Sequence, residues 1–155
     1  MANIFNGCLS LISVDLSNFD SENLEKMDGM FQGCSSLKYL NFSKFNSKNV
    51  ESINNLFNEC SLVSIDLSSF NTNSVKDMSF MFFGWTSLVS IDLSKFSISN
   101  VKYINDMFGD FSKLIYLDIS GFKRNDSPSS NYRDFFNDKI PSKGTIILIS
   151  SIYKK

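Results

Sequence analysis

The chain contains no histidine, and this excludes more functions than any other feature of its composition. Histidine is the commonest general base and the usual activator of serine and cysteine nucleophiles, so catalytic arrangements built on it are out of reach. Only 2 prolines and 7 glycines punctuate the 155 residues, too few for a linker-rich or low-complexity chain. Cys8, Cys34 and Cys60 are odd in number and lack Cys-x-x-Cys spacing, which argues against a disulfide framework and, without histidine, against zinc. Charge of neither sign dominates. With 15 Lys and Arg against 16 Asp and Glu, no basic field exists for nucleic acid or an anionic membrane. No run approaches the ~20 apolar residues of a membrane span, Thr145 to Ile149 being the nearest, so no membrane insertion is expected. Phosphate loops and nucleophile elbows are missing as well. The expectation is a non-enzymatic protein with no cofactor.

Repetition is what the sequence does have. The phrase Leu11-Ile12-Ser13-Val14-Asp15-Leu16-Ser17-Asn18-Phe19 recurs over Leu37 to Phe45, Leu62 to Phe70, Leu88 to Phe96 and Leu114 to Phe122. That amounts to about four and a half copies of a 26-residue unit, with one slip: a serine is missing after Cys60, leaving that copy 25 residues long. Units this short cannot close a core alone, so neighbours must stack and share one. A hydrophobic content of 43% is enough for a single continuous core.

Each unit carries two periods. Val101, Ile104, Met107, Phe108 and Phe111 follow the spacing of a helix face, and Ser99-Asn100 or Asn73-Ser74 before such runs fit helix caps. Period two follows: Ile91 and Leu93 inward, with Ser90, Asp92 and Ser94 outward, which predicts a short strand. The expected fold is therefore an α/β repeat, a right-handed solenoid with a parallel sheet on its concave face and short helices on its convex face. Phe19, Phe45, Phe70, Phe96 and Phe122 should form one internal column, and Phe5, Phe31, Phe57, Phe82 and Phe108 another. The three cysteines share a register with Trp85 and Phe111, so they read as free thiols in a buried apolar slot.

The pattern Asn-Val-x-x-Met-x-x-Met-Phe-x-Gly-Cys-Ser-Ser-Leu-x-x-Leu-x-Leu-Ser-x-Phe, spread over residues 4 to 122, resembles the repeat of BspA-like surface proteins, also described as Mycoplasma lipoprotein repeats. The resemblance implies a leucine-rich-repeat-like solenoid on a microbial or protist cell surface and a role in adhesion or recognition. One departure is plain: Phe96 stands where Asn or Cys usually turns the chain of a leucine-rich repeat.

Residues 1–122 are expected to form the repeats, and 123–155 a helix-strand cap of the same domain. In that cap Lys123 to Ser130 reads as a loop, Asn131 to Asp138 as a last helix and Gly144 to Ile152 as a closing strand. The chain opens partway through a repeat without a signal peptide. The expectation is a fragment of a longer protein that is secreted or held at the cell surface, with signal or anchor elsewhere.

The outward strand positions are the place to seek function. One row is Asp15, Asn41, Asp66, Asp92 and Asp118; the flanking row is Ser13, Tyr39, Ser64, Ser90 and Tyr116. Five rungs ~4.8 Å apart would span roughly 19 Å, enough for a peptide or short glycan. Like charges at that spacing repel by about 1 kcal/mol per pair in water. Lys38, Lys44, Lys95 or Lys113, hydrogen bonds from the serines, or a bound calcium ion are candidate compensations. Phe80 and Phe83 break the repeat and, with Tyr103, would make an apolar patch on the convex side, suited to a protein contact or to self-association. Asn41-Phe42-Ser43 and Asn125-Asp126-Ser127 are glycosylation sequons for a eukaryotic host, the first of them on the binding face. The expected function is binding of a protein or glycan on a host or neighbouring cell; the alternative is a passive spacer with no ligand.

Overall fold

The structure is a computed structural model that describes residues 1–122, 135–136 and the main chain of 146–149. The expected loop at Lys123 to Ser130 lies outside the described residues. So does the expected helix Asn131 to Asp138 apart from Phe135 and Phe136, and the expected closing strand apart from residues 146–149.

Period two gives strands, but very short ones: β1 (Ser13–Asp15), β2 (Tyr39–Asn41), β3 (Ser90–Asp92), β4 (Tyr116–Ile119) and β5 (Ile146–Ile149). They pair in parallel as two sheets, β1-β2 and β3-β4-β5. Ser13 lies opposite Tyr39, Ser90 opposite Tyr116 and Tyr116 opposite Ile146. A second parallel line of contacts runs through Lys26, Ser52, Asp77 and Tyr103 on another side of the molecule. Each repeat is thus one coil of chain laid in register on the next. Residues 26–51, 52–76 and 77–102 make the second, third and fourth coils, and 1–25 and 103–122 lie in the first and fifth.

Coils in parallel register were expected; the helices of the α/β solenoid were not found. Among the described residues there is no α-helix, and the segments with helix-face spacing are ribbons of turns. In the second coil Met27, Gly29, Phe31 and Gly33 donate their amides to the carbonyls of Ser52, Asn54, Leu56 and Asn58 in the third, at 2.8–3.0 Å. The amides between them close tight turns instead: Met30 to Met27, Gln32 to Gly29 and Cys34 to Phe31. The third coil repeats the scheme onto the fourth, and the fourth onto the fifth. Past its first turn a helix would direct its amides back along its own segment, not alternately to the next coil.

Backbone conformation enforces the choice. Asn3, Gly29, Asn55, Phe80 and Asp106 share one register and all have positive φ; Gly7, Gly33, Glu59, Gly84 and Asp110 share another and do the same. Two left-handed residues in each ribbon cannot belong to an α-helix. Eight of these ten residues are Gly, Asn or Asp, the types that reach this region at least cost. The residues expected to cap helices hold the stack together sideways. Asn100 donates through Nδ2 to the Asn73 carbonyl at 2.7 Å, and Ser74 through its hydroxyl to the Lys48 carbonyl at 2.6 Å.

Both phenylalanine columns are present. Phe5, Phe31, Phe57, Phe82 and Phe108 stack at 5.3–5.9 Å between centroids, and Phe136 extends the line by another 5.3 Å. Phe19, Phe45, Phe70 and Phe96 stack at 6.1–6.2 Å, and Phe122 is fully buried at the next rung. Cys34 and Cys60 are buried free thiols, hydrogen-bonded to the carbonyls of Phe5 and Phe31 in the preceding coils. Burial, with a smaller contribution from the thiol one coil earlier, pushes Cys34 up to about 11 and Cys60 to about 12. Beside the rings runs a ladder of buried hydroxyls. Ser21, Ser47 and Thr72 accept the amides of Asn46, Asn71 and Ser97 in the next coil at 2.7–2.9 Å, and Ile98 ends the row.

Removing a buried acceptor leaves its donor unpaired, so Ser47→Ala is expected to lower unfolding free energy by about 1–3 kcal/mol in urea titration. The left-handed positions should show opposite signs. Gly33→Ala, at φ 68°, is expected to destabilise by about 1–2 kcal/mol, while Glu59→Gly, at φ 56°, should stabilise.

Candidate functional site

The strand face begins with a turn. At the end of β1, β2 and β3, and at Asp66 and Asp118 in the other two coils, an Asp or Asn side chain bends back to accept the amide two residues on, which starts the chain around the corner. Oδ1 of Asp15, Asn41, Asp66, Asp92 and Asp118 accepts from the amides of Ser17, Ser43, Ser68, Ser94 and Ser120, every bond 2.8–2.9 Å long. A second turn follows at once, closed by the amides of Phe19, Phe45, Phe70, Phe96 and Phe122. The carboxylate row is therefore a set of turn caps, and each repelling charge has its own amide dipole as compensation. Asn41 fills the role without a charge. The signal in the sequence was the Asp/Asn-x-Ser spacing, the same in all five copies.

These bonds hold three of the caps, Asp15, Asp66 and Asp118, below the ordinary carboxylate range. The Ser17 amide and then its hydroxyl hold Asp15 below its ordinary value, and Ser68 does the same for Asp66. Burial alone would raise Asp118, but the hydroxyl and amide of Ser120 together with the Tyr116 hydroxyl outweigh it, and the net direction is down. Tyr116 donates to Asp118 Oδ2 at 3.2 Å. Desolvation, then the carboxylates of Asp118 and Asp92, push its own phenol up. Among the described residues no cluster of three or more Cys, Asp or Glu groups is placed to hold a metal ion.

The flanking row is uneven. Tyr39 is 55% exposed, Ser13 and Ser64 are exposed, and Ser90 and Tyr116 are half-buried. The five rungs do not form one sheet, because residues 64–66 make no strand and the pairing divides there. In the second coil Leu37, Lys38 and Tyr39 all place their amides on carbonyls. In the third coil the equivalent amides of Leu62, Val63 and Ser64 donate to nothing among the described residues. With one residue fewer between Cys60 and Leu62, the segment gives up its amide bonds toward the second coil, while the Val63 carbonyl still accepts the Val89 amide of the fourth at 3.1 Å, as Ile12 accepts that of Lys38. Trp85 Nε1 bonds the Leu62 carbonyl at 2.5 Å, fixing the shortened turn from the fourth coil. A cleft of about 310 Å³ opens at the step, lined by Ser35, Ser36, Lys38, Ser61, Val63 and Ser64. Of these only Ser64 was singled out from the sequence as a contact residue. The slip in the repeat was visible there, but its consequence was not.

Phe80, Phe83 and Tyr103 are not on a helix. Phe80 and Phe83 are half-buried and meet edge to face at 5.9 Å, while Tyr103 is 59% exposed. Phe83 packs over the next coil where position 109 is glycine; a Cβ there would come within 2.6 Å of the ring.

With this geometry in place the chain can be assigned. Residues 1–122 match the family described as Mycoplasma protein of unknown function, DUF285, and the chain belongs to that family. Comparison with curated proteins and with solved structures gave no match.

Because Asp15, Asp66 and Asp118 titrate lower in the folded chain than in the unfolded one, their stabilisation is present above the ordinary carboxylate value of 3.8. It is lost as pH falls through their folded values, so thermal melts should show stability dropping below about pH 4. Asp92→Asn keeps the cap acceptor, as Asn41 does, and is expected to be nearly neutral at pH 7, while Asp92→Ala should cost about 1 kcal/mol.

Proposed function

We propose that the chain is a non-enzymatic binding module of a microbial cell-surface protein, and that it recognises a protein or glycan on a host or neighbouring cell through its strand face. The observation that carries this reading is the exposed Tyr39 beside serine hydroxyls, on main chain whose turns are each pinned by an Asp or Asn cap. A ligand meeting that face would find side chains already placed, so little conformational entropy is lost on binding. Tyrosine offers a large, stiff contact with a polar tip, and serine an adaptable hydrogen bond, a combination that serves protein and sugar ligands alike. Likeness of the repeat to those of surface proteins supports the location. The interrupted sheet favours binding over a passive spacer, since a spacer gains nothing from a break in its own stack.

The test is saturation binding of the purified chain to immobilised matrix glycoproteins and glycans, with Tyr39→Ala/Tyr116→Ala alongside. Saturable binding that weakens about tenfold or more in the double variant is expected, the loss of one or two aromatic contacts. An absence of saturable binding by a chain that melts cooperatively would refute the proposal.

A further inference from the structure

We infer that the cleft at the shortened third coil is a subsite for an anionic sugar residue. This rests on the binding reading above and names the chemistry of one part of that face. The cleft lies where the third coil is one serine short and the strand pairing between the second and third coils is absent. Its volume of about 310 Å³ lies at the lower end of ligand pockets, the size of one sugar ring and its substituents rather than of a folded partner.

Donors dominate the lining. Lys38 is exposed and pairs with no carboxylate among the described residues, where Lys48 and Lys76 pair with Glu22 and Glu51. Ser35, Ser36 and Ser64 bring hydroxyls that make no hydrogen bond among the described residues, and the Ser61 hydroxyl bonds the Ser35 carbonyl. Val63 and Ser64, both in the lining, also carry main-chain amides without acceptors. Both residues are exposed, so these amides are open to solvent and to a ligand, and an oxyanion is the partner that would take them together with an ammonium group. Serine hydroxyls, which donate and accept, suit the ring hydroxyls of a saccharide, and Val63 offers an apolar surface for a ring face. No carboxylate lines the cleft to repel the charge.

The experiment titrates the purified chain with sodium glucuronate, methyl glucoside and sodium sulfate, followed by amide chemical shifts and calorimetry. Glucuronate is expected to saturate and methyl glucoside to bind at least about tenfold more weakly, with the shifted amides at residues 35–38 and 61–64. Lys38→Gln should weaken glucuronate about tenfold or more without altering the melting temperature. Inserting one serine between Ser61 and Leu62 restores the 26-residue period and should abolish binding in a chain that still melts cooperatively. Equal binding of the neutral sugar, full binding by the insertion variant, or no saturable glucuronate binding would each overturn the assignment. Sulfate binding as tightly as glucuronate would overturn the sugar part of it. If glucuronate fails while panel binding still depends on Tyr39 and Tyr116, the cleft assignment falls and the strand-face reading stands.

Discussion

Everything in this fold depends on where alternate main-chain amides of each coil go. In a chain built of short repeats, the interface between neighbours must carry the stability, and here much of it is a parallel set of amide-to-carbonyl bonds from one ribbon of turns to the next. A buried amide must find an acceptor, so a ribbon that gives four amides away cannot also satisfy them internally. Left-handed residues in two fixed registers make that division possible by turning the chain so that alternate amides face outward along the stack. Phenylalanine columns and buried hydroxyls then fill the interior that those bonds enclose. Rings one coil apart stack at nearly the same spacing throughout, because the ribbon bonds set the rise.

The same constraint explains why one missing residue matters. A coil that is one residue short keeps its ribbon bonds and loses strand bonds toward the coil before it. The third coil keeps the ribbon: Ile53, Asn55, Phe57 and Glu59 donate to the fourth coil as their counterparts do. The strand gives way, since it has fewer bonds to lose and faces solvent. Trp85, standing where the first three coils carry a cysteine, fills the adjoining interior and bonds the Leu62 carbonyl. The break is thus an accommodated feature with its own packing.

Several expectations drawn from the residues stand in the structure, and the failures are instructive. Both aromatic columns were legible because a residue type that recurs at one register with no polar substitute has to be interior. The parallel register of β1 with β2 and of β3 with β4 followed from the repeat length alone. Helices were misread because apolar steps of three, three, one and three fit a ribbon of turns as well as a helix face. Gly29 and Gly33, Asn55, and Asp106 and Asp110 carried the correcting signal, being residue types that favour left-handed backbone at two registers. The aspartate row drew attention as a surface, whereas its spacing to serine marked it as a set of turn caps.

What the sequence determined by itself was periodicity: how many coils, which residues share a rung, which columns are buried, and that no histidine-based chemistry is available. Those follow from repetition and from the partition of apolar side chains away from water, and both are properties of residue types in order. What tertiary structure alone decided was the destination of each hydrogen bond. Helix, strand or ribbon is a choice between an amide's own segment and a neighbouring coil, and only the assembled stack supplies the neighbour. For that reason the turns replaced the helices, the hydroxyls of Ser21, Ser47 and Thr72 became an internal ladder, and the lost serine after Cys60 became a cleft.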